Sequence, residues 1–289
     1  GCFPARYGGR VSSVIDVRSL DGNNKFLKGE ISLGVISSKL TLEGPLINAN
    51  TTFIISGRRS YFDLYSGALR NTGLLDKNFP DYYFYDLNAR ISHTFSQKDK
   101  IFLSFYNGKD RIKSNDENTS NVESEEFSEN RNETSGWGNL IASIRWNHAF
   151  GNSLFANTTV AFSKYDFFTS DQYKNNLPDS LIKMYSADYK SEIADFIVKT
   201  DFDYSFTNTS KLMFGMGVTF HSFHPGENHY NMVDNELNVK TDTSFSNILI
   251  HAGEPFFYSE DEFTLGEKLN VVAGFRVSGL FSGNRMHAN

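Results

Sequence analysis

From about Lys28 to Phe281 the chain repeats one unit, a long segment of alternating apolar and polar residues followed by a connection. Between Tyr82 and Phe95 the apolar set is Tyr83, Tyr85, Leu87, Ala89, Ile91 and Phe95. Asp86, Asn88, Arg90, Ser92 and Thr94 interleave with it. Leu140, Ala142, Ile144, Trp146 and Phe150 repeat the pattern against Asn139, Ser143, Arg145 and Asn147. The stretches Ala194 to Phe206, Leu212 to Phe220 and Leu269 to Val277 do the same. A period of two puts alternate side chains on opposite faces of a strand, whereas a helical face recurs every 3.6 residues. The pattern predicts about ten β-strands.

These segments are long. Alternation holds for about 10 to 15 residues, against about 5–6 in an ordinary strand, and a tilted strand crosses a bilayer in roughly 9–11. The connections also sort by length. Short polar ones fall at Ser96–Asp99, Gly151–Ser153, Thr207–Thr209 and Gly266–Lys268. Long ones are predicted at about Tyr65–Asp81, Ser114–Gly136, Asp171–Lys190 and Gly226–Asp242. Outer-membrane barrels carry short periplasmic turns at one end and long extracellular loops at the other. The expected fold is therefore all-β, a transmembrane antiparallel β-barrel.

Composition fits that expectation. Hydrophobic residues are only 39% of the chain, yet it holds 27 Phe and 14 Tyr. A barrel wall needs an apolar residue only at alternate positions, because the other face lines a wet or plugged lumen, and its aromatics gather at the two membrane interfaces. Clusters at Tyr82–Tyr85, Tyr165–Phe168 and Phe256–Tyr258 suit such girdles. A formal charge of −6 argues against a nucleic-acid partner. A single cysteine, Cys2, leaves no internal disulfide framework. No basic region and apolar core of a signal peptide open the chain, and Gly283–Asn289 forms no closing strand, so the sequence reads as a window on a longer protein.

The run Phe3-Pro4-Ala5-Arg6-Tyr7-Gly8-Gly9-Arg10-Val11-Ser12-Ser13-Val14-Ile15-Asp16-Val17 resembles the end of the plug domain in TonB-dependent outer-membrane receptors. The similarity is to the type with an N-terminal carboxypeptidase-regulatory-like domain. Asp21-Gly22-Asn23 matches the turn that leads to the first barrel strand. Gly29 to Pro45 resembles that strand with its turn, and Thr52 to Tyr61 the second. The resemblance covers about the first fifth of the chain. It implies that residues 1–25 are the C-terminal end of a plug and 26–289 the first part of a larger plugged barrel, of the class with about 22 strands. It further implies the outer membrane of a Gram-negative bacterium, with membrane lipid and the TonB energy-coupling complex as partners. The cargo would be a scarce nutrient, a siderophore, oligosaccharide or similar molecule, and no cofactor is implied.

Within that frame Gly8 and Gly9 suit a plug turn, since glycine allows positive φ and close backbone approach. Arg6, Arg10, Arg58 and Arg59 are candidates for ion pairs between plug and wall, or are simply solvated. Catalytic signatures such as Gly-x-Ser-x-Gly, a Walker loop or His-Glu-x-x-His are absent, so no catalytic residue and no enzymatic activity are expected. His221, His224 and His229 lie near Met213, Met216 and Met232 and could hold a metal. His221 and His224, three apart, would however face opposite sides of a strand, and the ordinary reading is a strand end running into a polar loop. The acidic stretch Asn115–Glu133 could attract a cation, but such runs are usually solvated loops. Two other classes remain: a passive porin or barrel enzyme, and a soluble extracellular β-sheet adhesin or lectin.

Overall fold

The computed structural model describes residues 4–8, 14–17, 19–122, 125–176, 182–207, 210–245, 248–265, 269–283 and 285–288. After a 3-10 turn at Ala5–Tyr7, the chain forms β1 (Lys28–Leu33), β2 (Ser37–Pro45), β3 (Thr51–Ser60), helix α1 (Phe62–Asn71) and β4 (Asp81–Thr94). Five long strands follow: β5 (Asp99–Val122), β6 (Glu125–Ala149), β7 (Leu154–Asn176), β8 (Ile182–Thr207) and β9 (Ser210–Asp234). Then come β10 (Val239–Phe245), β11 (Ile250–Leu265), β12 (Leu269–Ser282) and β13 (Arg285–Ala288). All belong to one antiparallel sheet in which sequence neighbours pair. β9 pairs with β11 over Ser210–Phe223 and with β10 over Asn228–Asp234, so β10 and β11 lie end to end along it. This is the wall of a partial β-barrel, thirteen-stranded where the alternation predicts about ten.

The difference lies in the hairpins β1–β2 and β9–β10 and in β13, which occupies Arg285–Ala288 where no closing strand is expected. The predicted first strand is a hairpin, β1 and β2, closed where the Gly34 N–H bonds the Ser37 carbonyl at 3.0 Å. More important, the predicted long loops are strand. Ser114–Gly136 is a ladder that runs from Ser114 opposite Glu133 to Val122 opposite Glu125. Asp171–Lys190 is a ladder in which Tyr173 faces Tyr185. Gly226–Asp242 continues β9 and turns into β10. The acidic stretch is thus two paired strand segments rather than a loop. Main-chain pairing needs no hydrophobic alternation, which appears only where one face meets apolar surroundings. The extensions of β5 to β7 are mostly polar on both faces, and the apolar residues in those of β8 and β9, such as Met184, Tyr185 and Met232, follow no period of two, so none leaves a periodic trace. β5 to β9 reach 23 to 26 residues, roughly 80 Å at ~3.3 Å per residue.

The connection Tyr65–Asp81 also holds structure, since α1 begins before it. Asp63 sits in the first turn of α1 and Arg70 in the last, each at the end the helix dipole favours. Arg70 Nη1 pairs with Asp81 Oδ1 at 2.8 Å, and the Ser66 hydroxyl donates to the same carboxylate, tying the helix to the start of β4.

Cross-strand registers sort the wall into two faces. Ile91, Leu103, Ile144, Val160, Val198, Val218 and Pro255 align in one row. The opposite face carries Arg90, Ser104, Ser143, Ala161, Ile197, Thr219 and Glu254 in register. On the apolar face Ile144 is 51% exposed, Phe196 45% and Phe275 57%. Soluble monomers rarely leave so continuous an apolar surface uncovered.

His221 and His224 fall on opposite faces of β9. His221 Nδ1 lies 2.7 Å from Asp195 Oδ1 on the inner face, whereas His224 is opposite Glu192 on the outer one. The strand does not end there. Its register with β8 shifts between Lys190 and Glu192, where Pro225 and Gly226 form a bulge. Proline lacks the donor that a central strand requires, and a bulge is where that lack is tolerated. Gly226 has φ +156 and lies against the Tyr189 ring, so a Cβ there would come within 2.3 Å of it.

Candidate functional site at the seat of the N-terminal segment

The described parts of the segment before β1 lie on the polar face and touch the wall at two separated places. At the first, Arg6 Nη2 meets Asp203 Oδ1 at 2.8 Å, and Arg6 Nε donates to Tyr258 Oη at 3.2 Å. Tyr258 is fully buried and donates in turn to Asp201 Oδ1 at 2.6 Å. The Ala5 N–H donates to Glu260, a buried carboxylate, and Arg276 Nη1 reaches the carbonyls of Ala5 and Arg6. Burial works against the charge on Arg6, but the Tyr258 hydrogen bond and the carboxylates of Asp203 and Asp201 outweigh it and raise its pKa. It is a permanent cation.

At the second place Asp21 accepts from three wall residues: Lys100 Nζ at 2.7 Å, Arg90 Nη2 at 3.0 Å and Ser92 Oγ at 3.2 Å. Arg90 is itself buried, donates to the Ser19 carbonyl at 3.1 Å and stacks over the Phe102 ring at 4.4 Å. Burial alone would raise the Asp21 pKa; the Lys100 hydrogen bond, with the charges of Lys100 and Arg90, overrides it and holds the group below the ordinary carboxylate range. The Asn23 N–H then donates to Glu43 Oε2 at 3.2 Å, leading into β1.

One register row joins the two places. Lys100 faces Asn147, Asn147 faces Asn157, Asn157 faces Asp201, Asp201 faces Gly215, Gly215 faces Tyr258 and Tyr258 faces Arg276. The distance from β5 to β11 along it is roughly 24 Å at ~4.8 Å per strand, within the reach of the residues between Arg6 and Asp21. The row holds a glycine for a steric reason. The Tyr258 ring lies over Gly215, where a Cβ would stand 2.7 Å from it.

The candidate site residues take different places. Arg6 is in the first cluster. Arg58 pairs with Asp86 at 2.8 Å and, with Val17, Ser19 and Leu20, borders a cavity of about 360 Å³ between segment and wall. Arg59 pairs with Asp63 of α1 at 2.9 Å and lies over the Tyr83 ring, away from the segment. Gly8 has φ −58, so its backbone needs no left-handed conformation; a Cβ there would stand 2.0 Å from Arg276 Cδ. Gly9 and Arg10 lie outside the described residues. The wall partners Arg90, Asp201, Asp203 and Arg276 carry no mark in the sequence beyond lying on the polar parity of their strands, and Tyr258, expected in an interfacial girdle, is instead buried on the inner face. Close approach is most demanding at Gly22, where a Cβ would be 2.0 Å from the Phe53 carbonyl oxygen.

No protein-family model matches the chain, and no curated protein matches it. Among solved structures, the siderophore receptor PirA from Acinetobacter baumannii is 8% identical over 90% of this chain and 58% of its own, with a TM-score of 0.20. A mutant of the ferric enterobactin receptor PfeA from Pseudomonas aeruginosa, in complex with enterobactin, is 8% identical over 89% of this chain and 59% of its own, with a TM-score of 0.18. The chain thus spans a little over half the length of the structures it matches. Likeness at this level carries no argument about ligand or activity.

Proposed function

We propose that the chain is the plug end and adjoining wall of a TonB-dependent outer-membrane receptor that imports a scarce nutrient. The observation that carries this reading is the N-terminal segment, whose described parts rest on the polar face and are held there by ion pairs at Arg6 and at Asp21. A passive pore would have its lumen open, whereas a segment docked through charged contacts can be held and released. Transport of this kind is ligand binding coupled to a shift between two arrangements and needs no covalent chemistry.

The apolar face supports a lipid-facing role. Its outward belt on β6 runs from Leu140 to Phe150, roughly 33 Å along the strand at ~3.3 Å per residue, or about 25 Å in height at a tilt of about 40°. Towards the short turns Phe95, Trp146, His148 and Phe150 form an aromatic edge, with the His148 and Phe150 rings 4.4 Å apart. Beyond Leu140 the outward residues turn charged, as in the pair Lys164–Glu192 at 2.6 Å.

Two measurements test the reading. The protein should fractionate with the outer membrane and, unheated, migrate anomalously as barrels do; recovery as a soluble monomer without detergent would end it. Growth that depends on this protein should also stop when TonB is inactivated. Continued growth in that strain would favour a passive pore.

A further inference from the structure

Beyond the seat of the N-terminal segment, towards the long connections, the inner face carries aromatic side chains that docking does not use. Phe84, Asp110, Trp137 and Phe167 form one register row, and Asp86, Gly108, Asn139 and Tyr165 the next. Both rows are on the face of Arg90 and Asp201. Tyr82 and Tyr106 flank them, and Tyr82 Oη donates to Asp110 Oδ1 at 2.5 Å. These rings are only partly covered, Tyr165 being 39% exposed. The charges among them are mainly negative. Asp86, Asp110, Asp116, Glu133, Asp171 and Asp195 face inward, and the arginines of the same wall are already engaged. Arg58 pairs with Asp86 at 2.8 Å, and Arg131 with Asp171 and Glu133 at 2.8 Å each. His221 is likewise held by Asp195.

We propose that this wall is the cargo-binding surface and that it selects an uncharged or cationic ring-bearing solute over a polyanion. The inference rests on the importer reading and adds the cargo's chemical class to it. Aromatic faces stack on flat or ring-shaped partners and attract cations. Carboxylates and Asn139 accept hydrogen bonds from hydroxyl and ammonium groups. A polyanion would meet an excess of like charge with its possible arginine partners already neutralised, which raises the cost of entry.

The two tryptophans separate this inference from the reading beneath it, because Trp137 faces inward and Trp146 outward. In the Trp146→Phe variant, reconstituted in liposomes, emission reports Trp137. The probes are N-methylpyridinium, 4-nitrophenyl glucoside and 4-nitrophenyl phosphate, each normalised to its quenching of free N-acetyltryptophanamide. The cation and the neutral glucoside should quench at concentrations at least ~10-fold below those of the dianion at low salt, and Asp110→Asn should narrow the gap. Equal or stronger quenching by the dianion, or normalised quenching by none of the three, overturns the proposal. In the Trp137→Phe variant, brominated phospholipid should quench Trp146. If that fails, the membrane reading itself falls; if it succeeds while the dianion wins, only the cargo class does.

Discussion

Arg6 Nη2 and Asp203 Oδ1 lie 2.8 Å apart although 197 positions separate them in the chain. Asp203 sits on β8 and Tyr258, the second partner of Arg6, on β11, so one guanidinium ties the segment to two strands of the wall at once. Both ionic side chains are about a quarter exposed, a setting in which a charged hydrogen bond keeps part of its strength against water.

That contact should be measurable by a double-mutant cycle. Arg6→Ala and Asp203→Ala, singly and together, are expected to show a coupling of about 1–2 kcal/mol. Hydrogen exchange at the amides of Ala5 and Tyr7 reads it. Additive effects of the two substitutions would mean that the pair contributes nothing to docking.

Gly22→Ala tests the close approach. A methyl group 2.0 Å from the Phe53 carbonyl oxygen meets backbone, which cannot rotate aside. The segment must lift, at a cost of about 1–3 kcal/mol, and the Asn23–Glu43 bond should break. Trypsin cleavage after Lys25 should then accelerate. Gly151→Ala, with nothing within 4 Å of its new Cβ, is the control and should leave the rate unchanged.

Acid should release the second anchor. Asp21 has its pKa lowered in the folded state, against burial, by Lys100 and Arg90. Its contribution is therefore fully present above the ordinary aspartate value of about 3.9 and is lost as pH falls through the lower folded value. A spin label at Leu20→Cys should stay immobile from neutral pH down to about 4 and become mobile below it. Asp21→Asn should abolish this acid step; an identical transition in that variant would assign it to another group.

Adjacent residues of β8 test the two faces. Val198 points outward between Val160 and Val218, and Ile197 inward between Ala161 and Thr219. Val198→Lys should cost about 2–4 kcal/mol on folding into liposomes, whereas Ile197→Lys should cost less than half as much because the lumen is wet. Equal penalties would contradict a lipid-facing belt.

The sequence by itself determined the strands wherever one face is apolar. Leu87, Ala89 and Ile91 against Asn88, Arg90 and Ser92 announce β4 because a half-apolar surrounding forces a period of two. It also placed His221 and His224 on opposite faces, since parity is a local property of a strand. The far halves of β5 to β9 were not legible, because no apolar period of two runs through them and main-chain pairing alone leaves no side-chain signature. Nor was the seat of Arg6. Its partners Asp203 and Tyr258 come from two strands, and their meeting depends on the registers of β8 with β9 and of β9 with β11, set by backbone hydrogen bonds summed across the sheet. Only the tertiary structure decided which aspartate, which tyrosine and which lysine would share one row, and so where the N-terminal segment could lie.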